Sequence, residues 1–159
     1  MKTYVIMVSR TFPVTHKRTG EQTEFESKIL SGEKIHTIRA NYPLWKKRFE
    51  KIEAGEACLS LRYWSGIPRR SEQIEFLRLT KDNGIGIQRL DFVNSNFNLT
   101  MVDGFYSCSN IVDGFYCFSD TENSIAKNDG LSFDDFKDWF EDYELSEPMA
   151  VIHFTKFRY

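Results

Sequence analysis

Between positions 32 and 39 the chain reads Gly32-Glu33-Lys34-Ile35-His36-Thr37-Ile38-Arg39. An amine, an imidazole, a hydroxyl and a guanidinium fall close together. A hydroxyl becomes a nucleophile when a base takes its proton, and a lysine amine becomes such a base when burial or a cationic neighbour lowers its pKa. Arg39 is that cationic neighbour, and its planar fork also suits a phosphate or a base edge. Side chains alternate along an extended segment. Lys34, His36 and Ile38 therefore share one face, and Ile35, Thr37 and Arg39 the other. A bend at Gly32 is needed for Lys34 and Thr37 to meet.

The same groups serve a binding site without any activation. Lys34, Thr37 and Arg39 then hold a polar ligand, with Trp64, Tyr63 or Trp45 as stacking platforms. Of these, Trp64, at a strand end beside a turn, is the better placed, and Trp45 is read as core. Arg62, with Arg69 and Arg70, is positioned to meet a nucleic-acid backbone. The candidate ligand-binding set is thus Lys34, Thr37, Arg39, Arg62 and Trp64. His16, His36 and His153 have no metal-type spacing, and the three cysteines include no Cys-x-x-Cys pair, so no metal site is expected. Gly84-Ile85-Gly86 offers too little to cradle a phosphate, and no nucleotide cofactor is expected.

The elements that must position these residues follow from pattern. Residues 3–9 form an almost continuous apolar run, expected to be a strand buried on both sides. Thr23 and Glu26 form a capping-box signature for a short helix with Phe25 and Ile29 inside, closed by Gly32. A second helix begins at Pro43 and stops before Gly55, burying Trp45, Phe49 and Ile52. Alternation at Ala57, Leu59, Leu61 and Tyr63 predicts a strand. A turn at Ser65-Gly66-Ile67-Pro68 leads to its partner over 72–80, and a further strand over 85–93 follows Asp82-Asn83-Gly84.

Val-Asp-Gly-Phe-Tyr occurs at 102–106 and again at 112–116. Two copies of a ten-residue unit are too few for a solenoid, and the repeat reads as a local duplication that lengthens a loop. Ser132 and Asp135 cap a helix with Phe133, Phe136 and Phe140 as its apolar stripe, and residues 149–157 form a last strand. Helices interspersed with hairpin-connected strands predict an α+β domain on a mostly antiparallel, curved or closed sheet.

Phe25 to Arg39, closing on Lys28-Ile29-Leu30-Ser31-Gly32-Glu33-Lys34-Ile35-His36-Thr37-Ile38-Arg39, resembles the opening motif of ASCH domains, members of the PUA-like superfamily of small β-barrels. That motif is a short helix, a Gly, then a Lys with Thr three residues on and Arg two further. Ala126-Lys127-Asn128-Asp129-Gly130-Leu131-Ser132-Phe133 looks like the family's closing segment. The resemblance implies a PUA-like curved or closed barrel with three to four peripheral helices, spanning 1–159 as one domain with an insertion-like segment at about 82–120. It also implies a cleft lined by Lys34, Thr37 and Arg39 that binds RNA or a modified nucleoside. The small bacterial N4-acetylcytidine amidohydrolases are similar here and use a Lys, a Thr and a Glu. By that likeness a hydrolase acting on an acylated nucleoside, or a ribonuclease acting on RNA, is the alternative, with the catalytic set Lys34, Thr37 and Asp129, the last one methylene shorter than the family's acid.

The chain has 159 residues, 15% of them aromatic, enough for one domain with a real core. No apolar run suffices to span a bilayer. The opening apolar run is too short for a secretory leader, so a cytoplasmic protein with reduced thiols is expected. The net charge of −2 conceals an asymmetry: residues 28–78 carry 11 Lys/Arg against 6 Glu, and residues 102–148 carry 2 Lys against 12 Asp/Glu. The overall acidity restricts any nucleic-acid footprint to a small site. A protein-interaction module, with the acidic half and the repeat meeting a basic partner, is the alternative from a different class.

Overall fold

The computed structural model describes residues 1–92, 99–103, 105–108 and 124–159. Its strands form two sheets, and its helices pack around and between them, an α+β architecture. The first sheet holds β1 (Lys2–Met7), β3 (Ala57–Trp64) and β4 (Gln73–Leu79) in the order β1-β3-β4. β1 runs parallel to β3, and β4 antiparallel to it. The second sheet holds β2 (His36–Arg39), β5 (Gly86–Phe92), β6 (Leu99–Val102), β7 (Phe105–Cys108) and β8 (Met149–His153), in the order β2-β8-β5-β6-β7 and antiparallel throughout. Among the described residues no ladder joins the two sheets into a closed barrel.

Strand position explains the burial. β3 is central, and its first five residues are all buried, where alternation alone predicts every second one. β1 is an edge strand. Its apolar run is half exposed, with Ile6 its buried residue, so the expectation of burial on both faces fails. β8 lies inside the second sheet and all five of its residues are buried; it ends at His153, four residues before the expected boundary. β5 is the middle strand of that sheet, so the stretch expected to be insertion-like opens with an integral strand.

The four α-helices among the described residues are α1 (Phe25–Ser31), α2 (Tyr42–Glu53), α3 (Ser124–Asn128) and α4 (Phe133–Phe140). α2 matches its sequence reading: Pro43 stands in its first turn, and Trp45, Phe49 and Ile52 are buried. The helix touches β3, β5 and β8, which couples the sheets through one core. α1 begins one residue after Glu24, which has φ +58°, and the expected capping box does not form. The Thr23 hydroxyl instead donates to the Ser9 carbonyl at 2.6 Å and accepts from the Phe25 N–H at 3.3 Å. α4 is capped by Ser132, whose Oγ accepts from Asp135 N at 3.1 Å. Its Phe136 and Phe140 pack with Phe92. In the first Val-Asp-Gly-Phe-Tyr copy, Val102 of β6 pairs with Phe105 of β7, and the Asp103 carboxylate accepts from Arg89 N at 2.7 Å. The second copy, at 112–116, lies outside the described residues. No helix among the described residues is long and apolar enough to cross a membrane.

Candidate functional site

The site is built where α1 stops. Gly32 adopts φ +78°, a left-handed conformation that a side chain disfavours, and it turns the chain out of the helix. The N–H groups of Glu33 and Lys34 both donate to the Lys28 carbonyl at 2.9 Å, closing the end. Ile35 is then pinned on both sides: its N–H donates to Asn128 O, and its carbonyl accepts from Phe154 N. This clamp between the end of α3 and the end of β8 drives the Lys34 side chain inward. Gly130 allows the approach, since a Cβ there would stand 3.1 Å from the Lys34 Cβ.

Lys34 is 3% exposed, rare for a lysine, and it is paired. Its Nζ donates to the Asp129 carboxylate at 2.5 Å and to the Asp129 carbonyl at 2.6 Å, and stands 4.3 Å from the centre of the Phe25 ring. Asp129 follows α3, its N–H bonded to the Ile125 and Ala126 carbonyls. Ninety-five residues separate the two partners, so no local spacing reveals the pair. Asp129 thus both ends the helix and pairs with the buried amine.

Thr37 and Arg39 sit on β2 beside them. Val8, Phe25, Lys34, Thr37, Arg39, Asp129, Trp139 and Phe140 are among the residues lining one recess. Its solvent-sized space is about 20 Å³, room for one water molecule. The bend after α1 thus brings Lys34 onto the same wall as Thr37. No protein group among the described residues hydrogen-bonds the Thr37 hydroxyl, although the residue is buried. Arg39 donates to the Met7 carbonyl at 2.7 Å and to the Ile38 carbonyl at 3.4 Å, and no carboxylate among the described residues lies within ion-pair distance of it. Two cations and one carboxylate therefore line one recess, the Lys34–Asp129 pair buried and Arg39 half-buried at its side.

The electrostatics follow. Burial pushes the Lys34 ammonium below its ordinary value; Asp129 opposes this, and Arg39 and Lys28 add to it. Burial alone would raise the Asp129 carboxyl, but Lys34, then His36, hold it below the ordinary carboxylate value. Burial likewise keeps His36 neutral, against the pull of Asp129.

Other candidates stand apart from this recess. Arg62, Ser60 and Cys58 lie on one face of β3 by alternation, with Trp64 at its end. Arg62 donates to Ser60 Oγ at 2.8 Å and meets Glu75 at 3.5 Å, and it does not line the recess, nor does Trp64. Arg69 and Arg70 are exposed, and Trp45 is core, covered by the Arg48 guanidinium 4.4 Å from its ring centre. Sequence reading passes over Tyr159 and Asn128: the Tyr159 hydroxyl lies 2.7 Å from His36 Nε2 and accepts from Asn128 Nδ2 at 3.1 Å. The adjacency of Asn128 to Asp129 is the only signal that points there. His16 is buried against Phe12 and Trp139.

No family model, no curated protein and no solved structure matches this chain.

Proposed function

We propose that this chain is a PUA-like protein of ASCH type, its two sheets the halves of a curved barrel, and that its recess hydrolyses the amide of an acylated nucleoside, free or within RNA. The observation that carries this reading is the buried Lys34 amine, 2.5 Å from the Asp129 carboxylate, in a recess that Thr37 and Arg39 also line. A structural ion pair needs neither an unpartnered hydroxyl beside it nor a second cation.

The chemistry uses each group once. Neutral Lys34, favoured by burial, takes the proton of the Thr37 hydroxyl as its oxygen adds to the acyl carbon. Arg39 carries the positive charge not neutralised by Asp129 and stabilises the negative oxygen that forms. Lys34 returns the proton to the departing amine nitrogen as the C–N bond breaks, leaving an ester on Thr37. Water then adds to that ester, releases the carboxylic acid and restores the hydroxyl. Asp129 stays ionised and holds the amine in place. A space of this size admits neither base nor sugar, which lie outside its mouth.

The test is incubation of the chain with N4-acetylcytidine and chromatographic detection of cytidine and acetate. Turnover is expected for the wild type and absent in Thr37→Val and Lys34→Met. Saturable binding of the nucleoside without turnover would replace this reading with plain recognition of RNA or a modified nucleoside, which the unpaired Arg39 guanidinium also favours.

A further inference from the structure

The group behind the recess has no assigned task. His36 is fully buried, and β2 pairs it directly with His153 of β8. Its Nε2 is 2.7 Å from the Tyr159 hydroxyl. Its Nδ1 has no hydrogen-bond partner and stands 3.6 Å from Asp129 Oδ1, the oxygen that receives the Lys34 amine. A separation of 3.6 Å is longer than a hydrogen bond, but the carboxylate acts strongly on the dipole of the ring across it once water is excluded.

The proton on His36 can be located by elimination. Burial disfavours the imidazolium. Of the two neutral forms, a proton on Nε2 would aim the Nδ1 lone pair at a carboxylate. A proton on Nδ1 aims an N–H at it. The second arrangement is attractive and the first repulsive. His153 provides the contrast. Its Nε2 lies 3.0 Å from Gln88 Oε1, an oxygen that also accepts from Tyr159 N, while the Gln88 amide nitrogen donates to Asp103. His153 therefore carries its proton on Nε2.

We infer that His36 is a positioning residue, neutral and protonated on Nδ1, whose N–H fixes the Asp129 carboxylate against the Lys34 amine. The three form a line: Lys34 and His36 approach the same Asp129 oxygen, and Tyr159 braces the far nitrogen of the ring. A ligand that closes the recess shortens the His36–Asp129 contact to a hydrogen bond, since such contacts tighten when a site is occupied. The charged and titratable groups facing Asp129 are Lys34, His36 and Arg39, with Lys28 and Tyr159 beyond them. The effect on turnover rests on the hydrolase reading above; the position of the proton does not.

Two measurements separate the questions. In ¹⁵N-labelled wild-type protein, two-bond correlations assign the protonated nitrogen of each of the three histidines. His36 is expected to carry its proton on Nδ1 and His153 on Nε2 at a pH above the ordinary imidazole pKa. In turnover, His36→Asn places an amide N–H near Nδ1, and His36→Gln places one near Nε2. The Asn variant should stay within a few-fold of wild type, and the Gln variant should lose about 100-fold in kcat with KM little changed. A proton on Nε2 of His36, or a Gln variant as active as the Asn variant, overturns the assignment. Absence of turnover by the wild type sinks the hydrolase reading instead, and the spectrum then decides His36 alone, a proton on Nδ1 upholding it.

Discussion

Two polar clusters of this molecule have the same inventory and opposite characters. In the recess, Lys34 and Arg39 face one carboxylate, Asp129, beside one hydroxyl, Thr37. On the face of the three-stranded sheet, Arg62 and Arg78 face one carboxylate, Glu75, beside one hydroxyl, Ser60. Each holds an excess positive charge. In the sheet cluster that excess costs little, because the three charged side chains are between 27% and 44% exposed and water shares it. Its hydroxyl is also fully used, donating to Glu75 and accepting from Arg62. In the recess the paired side chains are 3% and 7% exposed, and the hydroxyl has no protein partner. Solvation, rather than the list of residue types, separates a structural network from a candidate site.

The largest difference should appear when each carboxylate is removed. Asp129→Ala leaves the Lys34 amine buried without a counter-charge and should cost about 3–5 kcal/mol in urea denaturation. Glu75→Ala, at a solvated site, should cost only about 1 kcal/mol, chiefly the hydrogen bond donated by the buried Ser60 hydroxyl. The double change Lys34→Met with Asp129→Leu should recover most of the loss, as buried ion pairs replaced by apolar groups commonly do. Equal losses from the two single variants would mean that the recess is as wet as the sheet face.

The second contrast is in pH. Burial pushes His153 down to about 3 from an ordinary 6.5, with His36 and Arg158 adding to the effect. The unfolded chain therefore binds a proton there that the folded chain refuses, and stability falls as pH drops from about 6.5 towards 3. His36 acts in the same direction. Each contributes up to about 1.4 kcal/mol per pH unit. His153→Gln should flatten the acid side of the stability profile by one proton. Asp129, held below its ordinary 3.8, adds stability present above that value and lost as pH falls through its folded value. Lys34 has the opposite consequence at the alkaline end: its folded pKa lies below 10.5, so stability rises with pH between the two. Arg62→Gln on the sheet face should alter neither limb. A wild-type profile flat from pH 6.5 to 4 would remove both histidines from the buried interior.

What the sequence revealed follows a physical line. α2 was fully legible because its caps and its 3.6-residue stripe are local. Gly32 and the polar group after it were legible because a stop signal and an unusual run of donors sit side by side. The burial of β1 was misread, since an apolar run does not say whether a strand is central or at an edge. Thr23 carries a capping signature, but its hydroxyl goes to Ser9, a partner no local rule supplies. Asp129 entered only through a family likeness. Its pairing with Lys34 closes over 95 residues, and nothing in the spacing encodes such a contact. The type of Arg62 is visible in the sequence, whereas its bond to the Ser60 hydroxyl is not.

The finest comparison removes one hydroxyl from each cluster. Ser60→Ala takes a donor from Glu75 and an acceptor from Arg62, and should cost about 1 kcal/mol. Thr37→Val takes away a hydroxyl that bonds to no protein group among the described residues and faces the solvent-sized space of the recess. Its stability should be unchanged or higher, within about 0.5 kcal/mol of wild type, while any turnover in the recess disappears. A hydroxyl dispensable to folding yet buried beside a charged pair is hard to explain as packing. If Thr37→Val instead destabilises as much as Ser60→Ala, the Thr37 hydroxyl has a structural partner, and the distinction between the two clusters narrows to solvation alone.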